Sequence, residues 1–345
     1  MGENFGRVKR REFMPEIRQN IATKEWVVIS TERAKRPEDF KSVKEKKVLL
    51  EHSEKCPFCP GNEHMTPYEN FVIKDEFGRW KIRVIPNKYP AVVPEGTVEY
   101  SMEGIKRRVS GVGSAEVIIE SNKHNMIIPF MSEKDLEQVI SVYKERYIAA
   151  EKDKRVKMVI IFKNYGEQAG ASIEHPHSQL IAIPVVPFHI RYRIEEAMRY
   201  FDETGECVFC KMLKEELKYQ ERIVVETGHF VSFVPYAALA PFHMWILPRR
   251  HMEAFSEIND AEITDLAKNL KLTVSKLYYG LDNPDYNFVI RSVPVNEKGR
   301  DYYHWYITIM PRLIKTAGFE IGTGMSINSS LPENDAKFLR EIKVR

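Results

Sequence analysis

His175-Pro176-His177-Ser178-Gln179-Leu180-Ile181-Ala182-Ile183 and His304-Trp305-Tyr306-Ile307-Thr308-Ile309-Met310 are two versions of one segment, a histidine that leads straight into an apolar strand. The same order of features precedes each. In the first block a short apolar strand over 116–120 comes before His124. A helix follows, opened by Ser132 and Asp135 at capping-box spacing and carrying Leu136, Val139, Ile140, Tyr143 and Tyr147 on one face. A buried-type strand over 156–162 and a loop of small and polar residues, 164–174, then reach His175. In the second block a strand over 243–247 comes before His251, and a helix opens near Asn259 or Asp260 with Ile263, Leu266, Leu270, Val274 and Leu277 on one side. A strand over 286–291 and a loop with Gly and Asn close on His304. His124 to His175 spans 51 positions and His251 to His304 spans 53. A Cys-x-x-Cys stands ahead of each block, and the longer gap in the first half holds 93–108, which reads as an inserted loop. The chain therefore reads as two similar halves dividing near 185–205, residues 1–190 and 191–345. With hairpin-like neighbours at 222–226 and 230–234, the expected class is α+β, each half an antiparallel sheet with packed helices.

Composition sets the frame. The 345 residues include 43% hydrophobic and 29% charged residues, with 17 glycines and 19 prolines, which excludes disordered, collagenous and disulfide-scaffold classes. Such a chain buries a large core without covalent staples. Net charge is +3, from 52 basic and 49 acidic residues, and short runs such as 44–47 make no basic stripe. Nucleic acid and anionic membranes are therefore not expected partners. The first twelve residues have no apolar core, so no secretory leader is expected. Gly6 stands where a myristoyl signal needs Ser or Thr. The least charged stretch, 230–248, contains Pro235, Pro241 and His243 and reads as broken strands rather than a membrane span. A cytoplasmic location is the expectation, and there Cys-x-x-Cys pairs read as metal or redox sites.

Each half offers two Cys and two His in one order, the donor set of a closed tetrahedral zinc site. The candidate ligands are Cys56, Cys59, His124 and His175 in the first half, and Cys207, Cys210, His251 and His304 in the second. One or two zinc ions per chain follow, each pinning a loop to the sheet. Two other readings exist: the Cys pairs are simply buried thiols, or they join in one four-cysteine ribbon that leaves the histidines unexplained.

The halves differ most two residues after the last candidate ligand, where the first has His177 and the second Tyr306, and two further on, where they have Gln179 and Thr308. Alternate residues of a strand share a face. His175, His177 and Gln179 then line one side, the first on the metal and the second free as nucleophile or base. Gly166, Gly170, Ala171 and Ser172 lie just upstream, in a loop whose backbone N–H groups can approach a phosphate.

These residues resemble a known family. Asn164-Tyr165-Gly166 through Gly170-Ala171-Ser172 to His175-Pro176-His177-Ser178-Gln179 resembles the active-site segment of the galactose-1-phosphate uridylyltransferases, in the histidine-triad superfamily. The segment over 32–37, Cys56-Pro57-Phe58-Cys59-Pro60-Gly61-Asn62-Glu63 and Pro86-Asn87-Lys88-Tyr89-Pro90 are similar to that family's arginine, zinc-loop and nucleoside segments. The resemblance covers about Pro15 to Ser330. It implies that His177 attacks the α-phosphorus of UDP-glucose and holds the uridylyl group covalently, with galactose 1-phosphate as acceptor and ping-pong kinetics. It implies that Gln179 hydrogen-bonds the transferring group. Asn164, Gly170 and Ser172 line the phosphate path, Asn87 faces the nucleoside, and Arg33 and Arg36 supply positive charge. It also implies a homodimer acting on a sugar nucleotide and a hexose 1-phosphate, with a second half that has lost catalysis.

The second half departs from the bacterial pattern. Those enzymes carry there a metal site with a carboxylate and a His-x-His pair; this chain has His304-Trp305-Tyr306. Cys207 and Cys210, and the segment over 317–325, instead resemble the ADP-glucose phosphorylase branch. Gly318 and Ser330 stand where uridylyltransferases place sugar-phosphate ligands. The expectation is thus a hexose-1-phosphate nucleotidylyltransferase, the uridylyl enzyme first and an ADP-sugar phosphorylase using the same histidine second. A nucleotide-releasing hydrolase and a zinc-dependent nucleic-acid binder are the competing classes.

Overall fold

A computed structural model describes residues 15–30, 40 and 49–344. Arg33 and Arg36, with the rest of 32–37, lie outside the described residues. In chain order the first half gives β1 (Glu16–Gln19), β2 (Trp26–Ile29), β3 (Phe71–Lys74), β4 (Trp80–Pro86), β5 (Tyr100–Glu103), β6 (Lys106–Val109), β7 (Ser114–Ile119), α1 (Glu133–Glu151), β8 (Met158–Tyr165) and β9 (His177–Ile183). Then come α2 (Phe188–Thr204), α3 (Val208–Tyr219), β10 (Ile223–Glu226), β11 (Phe230–Phe233), β12 (Met244–Pro248), α4 (Asp260–Gly280), β13 (Tyr286–Arg291), β14 (Tyr306–Pro311), α5 (Gly318–Thr323), β15 (Ser326–Asn328) and α6 (Pro332–Glu341).

Ten strands form one sheet in the order β10-β11-β12-β14-β13-β8-β9-β7-β4-β3, every neighbouring pair antiparallel. Its centre is the β8–β13 pair, with Asn164 opposite Asn287. Outward from there each half has the same strand order, and the class is α+β. The two expected sheets are joined edge to edge, which covers two strand edges that would otherwise stand open. The stretch over 93–108 contains a hairpin of its own, β5 with β6, rather than only a loop. β1, β2 and β15 make a separate three-stranded sheet, β15 parallel to β2.

Both long helices start where the sequence predicts. The Ser132 hydroxyl accepts the Asp135 N–H at 3.0 Å, and Asn259 with Glu262 forms a complete capping box. α1 and α4 lie side by side on one face of the sheet. Leu136, Val139, Ile140, Tyr143 and Tyr147 of α1 and Ile263, Leu266, Leu270, Val274 and Leu277 of α4 enter one core with Ile118, Ile161 and Leu180 below the first and Ile246, Ile290 and Ile307 below the second. Each such side chain contributes about 1.5–3 kcal/mol when fully buried.

The opposite face differs between the halves. On the second, α2 and α3 close over Trp245 and Tyr306 with Ile194, Phe209 and Tyr303. On the first, a small cluster of Cys56, Phe58, Cys59, Ile85, Val117 and Ile119 covers the strands. Among the described residues, no helix is long and apolar enough to cross a membrane.

Candidate active site

The Cys56–Cys59 segment is a chain of tight turns. The Cys59 N–H reaches the Cys56 carbonyl at 3.2 Å, and the Asn62 amide clamps the Glu54 and Cys56 carbonyls at 2.9 Å each. The Ser53 N–H points at the Cys59 sulfur from 3.4 Å. His124 follows β7, held by its N–H on the Glu51 carbonyl at 2.8 Å, and His175 immediately precedes β9. All four donor atoms lie within 4.8 Å of one another and all four residues are buried. Cys59 Sγ is 3.5 Å from His124 Nδ1 and 3.6 Å from His175 Nδ1, and Cys56 Sγ is 3.8 Å from His175 Nδ1. A tetrahedral zinc with ordinary bond lengths separates sulfur from nitrogen by about 3.5 Å. His175 Nε2–H donates to the Ser121 carbonyl at 2.7 Å, so its Nδ1 lone pair faces the cysteines, as a ligating imidazole requires.

Cys207, Cys210, His251 and His304 form a second such group, with Cys210 Sγ 3.2 Å from His251 Nδ1 and 3.4 Å from His304 Nδ1. Both donor sets fit a metal ion. The four-cysteine ribbon is ruled out by this geometry: each Cys pair has its own histidines.

His177 opens β9, paired with Ile119 of β7, and Gln179 sits opposite Val117, so both face the Cys/His cluster. Its ring packs edge-on to Phe58 at 5.3 Å between centroids. Nδ1 lies 2.8 Å from the His175 carbonyl. A carbonyl can only accept, so Nδ1 carries the proton and Nε2 holds a lone pair. Burial, aided by the Lys163 charge, keeps the imidazole pKa below its ordinary value. The ring is therefore a neutral imidazole of fixed tautomer.

Gln179 Oε1 is 3.5 Å from the Asn87 amide, and the Asn87 Oδ1 accepts the Tyr89 N–H at 3.0 Å, which brings the segment over 86–90 to the strand of His177. Asn164, near the end of β8, accepts from Asn287 Nδ2 at 2.8 Å, and the same amide is 2.8 Å from the Ala169 carbonyl. Asn287 was invisible to a reading of the first half alone, because it reaches the loop across the β8–β13 seam. Gly170 turns the loop in the left-handed region at φ 85°, and Ser172 is exposed beyond it.

Gly166 has the same φ, and a Cβ there would meet the Asp285 carboxylate at 2.2 Å. That carboxylate accepts the Gln168 N–H at 2.6 Å. Gly166→Ala should therefore lower the melting temperature by several degrees, from strain of about 1–3 kcal/mol in a positive-φ, extended conformation (φ 85°, ψ 162°) that glycine alone adopts readily, plus the clash. Calorimetry showing an unchanged transition would contradict this placement of the loop.

The site contains a group that motif reading missed. Glu120, Tyr143, Lys163 and Ser178 are all buried on the helix side of the sheet, directly behind His177. Lys163 Nζ is 2.6 Å from Glu120 Oε2 and 3.3 Å from the His177 carbonyl. Glu120 Oε1 accepts from Tyr143 at 2.6 Å and from Ser178 at 2.5 Å. Burial alone would raise Glu120, but Lys163 and the two hydroxyls hold it below the ordinary carboxylate value. The available signal was a lysine directly after the apolar run 156–162, which the structure places within β8.

In the second half, Tyr306 occupies the place of His177. It is 2% exposed, 4.3 Å from Trp245 and 5.5 Å from Phe209 between ring centroids. An aromatic cluster thus surrounds the position that the imidazole holds in the first half.

Comparison with known proteins agrees over the chain's length. The galactose-1-phosphate uridyl transferase N-terminal domain matches residues 7–187, and the C-terminal domain of the same enzymes matches residues 193–343. An ADP-glucose phosphorylase of Arabidopsis thaliana is 37% identical over 334 residues, 96% of this chain and 93% of that protein. A galactose-1-phosphate uridylyltransferase of Thermotoga maritima is 30% identical over 341 residues, 96% and 99% of the two chains. Among solved structures, the Arabidopsis ADP-glucose phosphorylase with bound ADP-glucose superposes with a TM-score of 0.82 at 34% identity, covering 96% of this chain and all of that one. A uridylyltransferase structure gives 0.73 at 26% identity, covering 95% and 97%. The chain is a nucleotidyltransferase and belongs to the galactose-1-phosphate uridylyltransferase family.

Proposed function

We propose that the protein is an ADP-sugar phosphorylase, reversing the order in which sequence alone ranks the two activities. The observation that carries this is the greater likeness, over the same 96% of the chain, to an ADP-glucose phosphorylase (37% identity) than to a uridylyltransferase (30%). The Cys207–Cys210–His251–His304 group supports it, since the sequence resembles that branch at the same residues.

In this reading His177 Nε2 attacks the α-phosphorus, forming a P–N bond as the bridging P–O bond to the sugar phosphate breaks. Hexose 1-phosphate leaves. Inorganic phosphate then attacks the same phosphorus, releases His177 and departs as ADP. Two in-line displacements at one phosphorus need positioning and charge stabilisation above all. The His175 carbonyl holds Nδ1–H throughout and takes up part of the positive charge that develops on the ring. Gln179 and Asn87 carry side-chain amides that can donate to phosphoryl oxygens, while the N–H groups of Gln168, Ala169 and Gly170 are spent on Asp285 and within the turn itself. Zinc on the two Cys/His groups would hold loops to the sheet; each set of four protein donors is complete, so neither needs substrate as a ligand. The second half serves as scaffold, its equivalent site filled by Tyr306.

The test compares acceptors. With ADP-glucose and inorganic phosphate, kcat/KM should exceed that for UDP-glucose and galactose 1-phosphate by at least about tenfold, with parallel-line ping-pong kinetics. Preference for the uridylyl pair overturns the proposal. Sugar-nucleotide turnover with no acceptor present would instead mark a hydrolase.

A further inference from the structure

The polar group behind His177 is unusual for its location. It lies in the core between α1 and the sheet, where the neighbouring side chains are Ile118, Ile161, Leu180 and Val139. Buried ion pairs give little net stability, and apolar side chains of similar size do as well or better. The second half supplies the comparison within the same molecule. In the first half Gln179 pairs with Val117 on one side and Phe162 on the other; in the second, Thr308 pairs with Trp245 and Val289. Aligned on that register, Ser178 corresponds to Ile307, Lys163 to Ile290 and Glu120 to Pro248. Aligned on the helix caps Ser132 and Asn259, Tyr143 corresponds to Leu270. All four equivalents are apolar and buried. The fold is thus built without the network in one half, and the network occurs only in the half whose strand begins with His177.

Its geometry says what it holds. Lys163 donates to the His177 carbonyl, and Glu120 accepts the hydroxyl of the next residue, Ser178. Tyr143 ties both Glu120 and Ser178 to α1. Glu120 also precedes Ser121, whose carbonyl fixes the His175 ring. The backbone at 177–178 is therefore anchored from below by a helix and two neighbouring strands, while the His175 carbonyl holds the ring above.

We infer that Glu120, Lys163, Tyr143 and Ser178 are positioning residues for His177, fixing the backbone from which its imidazole reaches the phosphorus. This inference deepens the function proposed above and rests on His177 being the nucleophile. A misplacement of about 1 Å at the reacting atom costs about 100-fold in rate, so the network acts on kcat and not on substrate affinity.

Removing one partner of the ion pair strands the other's charge, so the informative variant is the paired Glu120→Gln/Lys163→Met, with Ser178→Ala as a milder second. The paired variant should keep its fold, melting within a few degrees of the wild type with unchanged metal content. Its kcat should fall about 10- to 100-fold with KM for the sugar nucleotide within about twofold. Ser178→Ala should shift in the same direction by less. Nitrogen-15 spectra of labelled histidine provide a readout without substrate: the His177 Nδ1–H signal, sharp in the wild type, should broaden or vanish in the paired variant. A normal kcat, or a raised KM with normal kcat, overturns the inference, as does an unaltered Nδ1–H signal. Failure of the wild type to use either sugar nucleotide would refute the proposed function, and the nitrogen spectra would then decide the positioning role alone.

Discussion

His177→Ala should abolish turnover, lowering kcat by about 10⁴-fold or more, while leaving the melting temperature within a few degrees of the wild type. In the proposed reaction the imidazole is the attacking group in the first step and the leaving group in the second, so its loss removes the covalent route entirely. A 10⁴-fold effect corresponds to about 5.5 kcal/mol of transition-state stabilisation. Stability should change little because the ring contributes an edge-on contact with Phe58 and one hydrogen bond to the His175 carbonyl rather than membership of the apolar core. Binding of the sugar nucleotide, measured by calorimetry, should survive. A variant that still turns over within 100-fold of the wild type would mean another group attacks phosphorus.

Cys59→Ser should have the second-largest effect, and it separates the two Cys/His groups. Cys59 is fully buried, and its sulfur lies against both His124 and His175. Loss of a tight thiolate ligand should remove one zinc per chain and lower the melting temperature by about 10 °C or more, since metal binding and folding are coupled. It should also cut kcat by about 100-fold, because His175 supplies the carbonyl that sets the His177 tautomer and the residue that starts its strand. Cys210→Ser should likewise lose one zinc and some stability. It should still form the covalent nucleotide adduct, since its cluster lies in the half where Tyr306 fills the equivalent position. If Cys59→Ser retains its metal and its rate, the first cluster is only a pair of buried thiols.

Much of this arrangement was legible in the residues because it is written twice. The caps at Ser132 and Asn259, the apolar faces of α1 and α4 and the strands read over 116–120 and 286–291, observed at Ser114–Ile119 and Tyr286–Arg291, all follow local rules of spacing and capping. The Cys/His sets were found the same way, by a repeated order rather than any one motif. Features set by long-range pairing were not legible. Nothing local says that β8 pairs with β13, so neither the single sheet nor the reach of Asn287 to Ala169 could be foreseen. The Glu120–Lys163 pair reaches across β9, from the end of β7 to β8, and joins the last residue of the strand read over 116–120 to a residue just beyond the one read over 156–162. Nor does a local reading reveal that α2 and α3 cover the second half's face while the Cys56–Cys59 loop covers the first half's. The His-Pro-His-Ser-Gln segment does not encode the nucleotide base, so the proposal of an adenine nucleotide rests on overall likeness to relatives and not on the motif.

The central claim is a covalent nucleotide on one imidazole. Mass spectrometry of the intact protein incubated with ADP-glucose in the absence of phosphate tests it most directly, followed by peptide mapping. One adenylyl group per chain, acid-labile, carried on the peptide containing His177 and discharged as ADP when phosphate is added, is the expected result. Turnover of ADP-glucose with no adduct on the protein, or an adduct on any other residue, would contradict it.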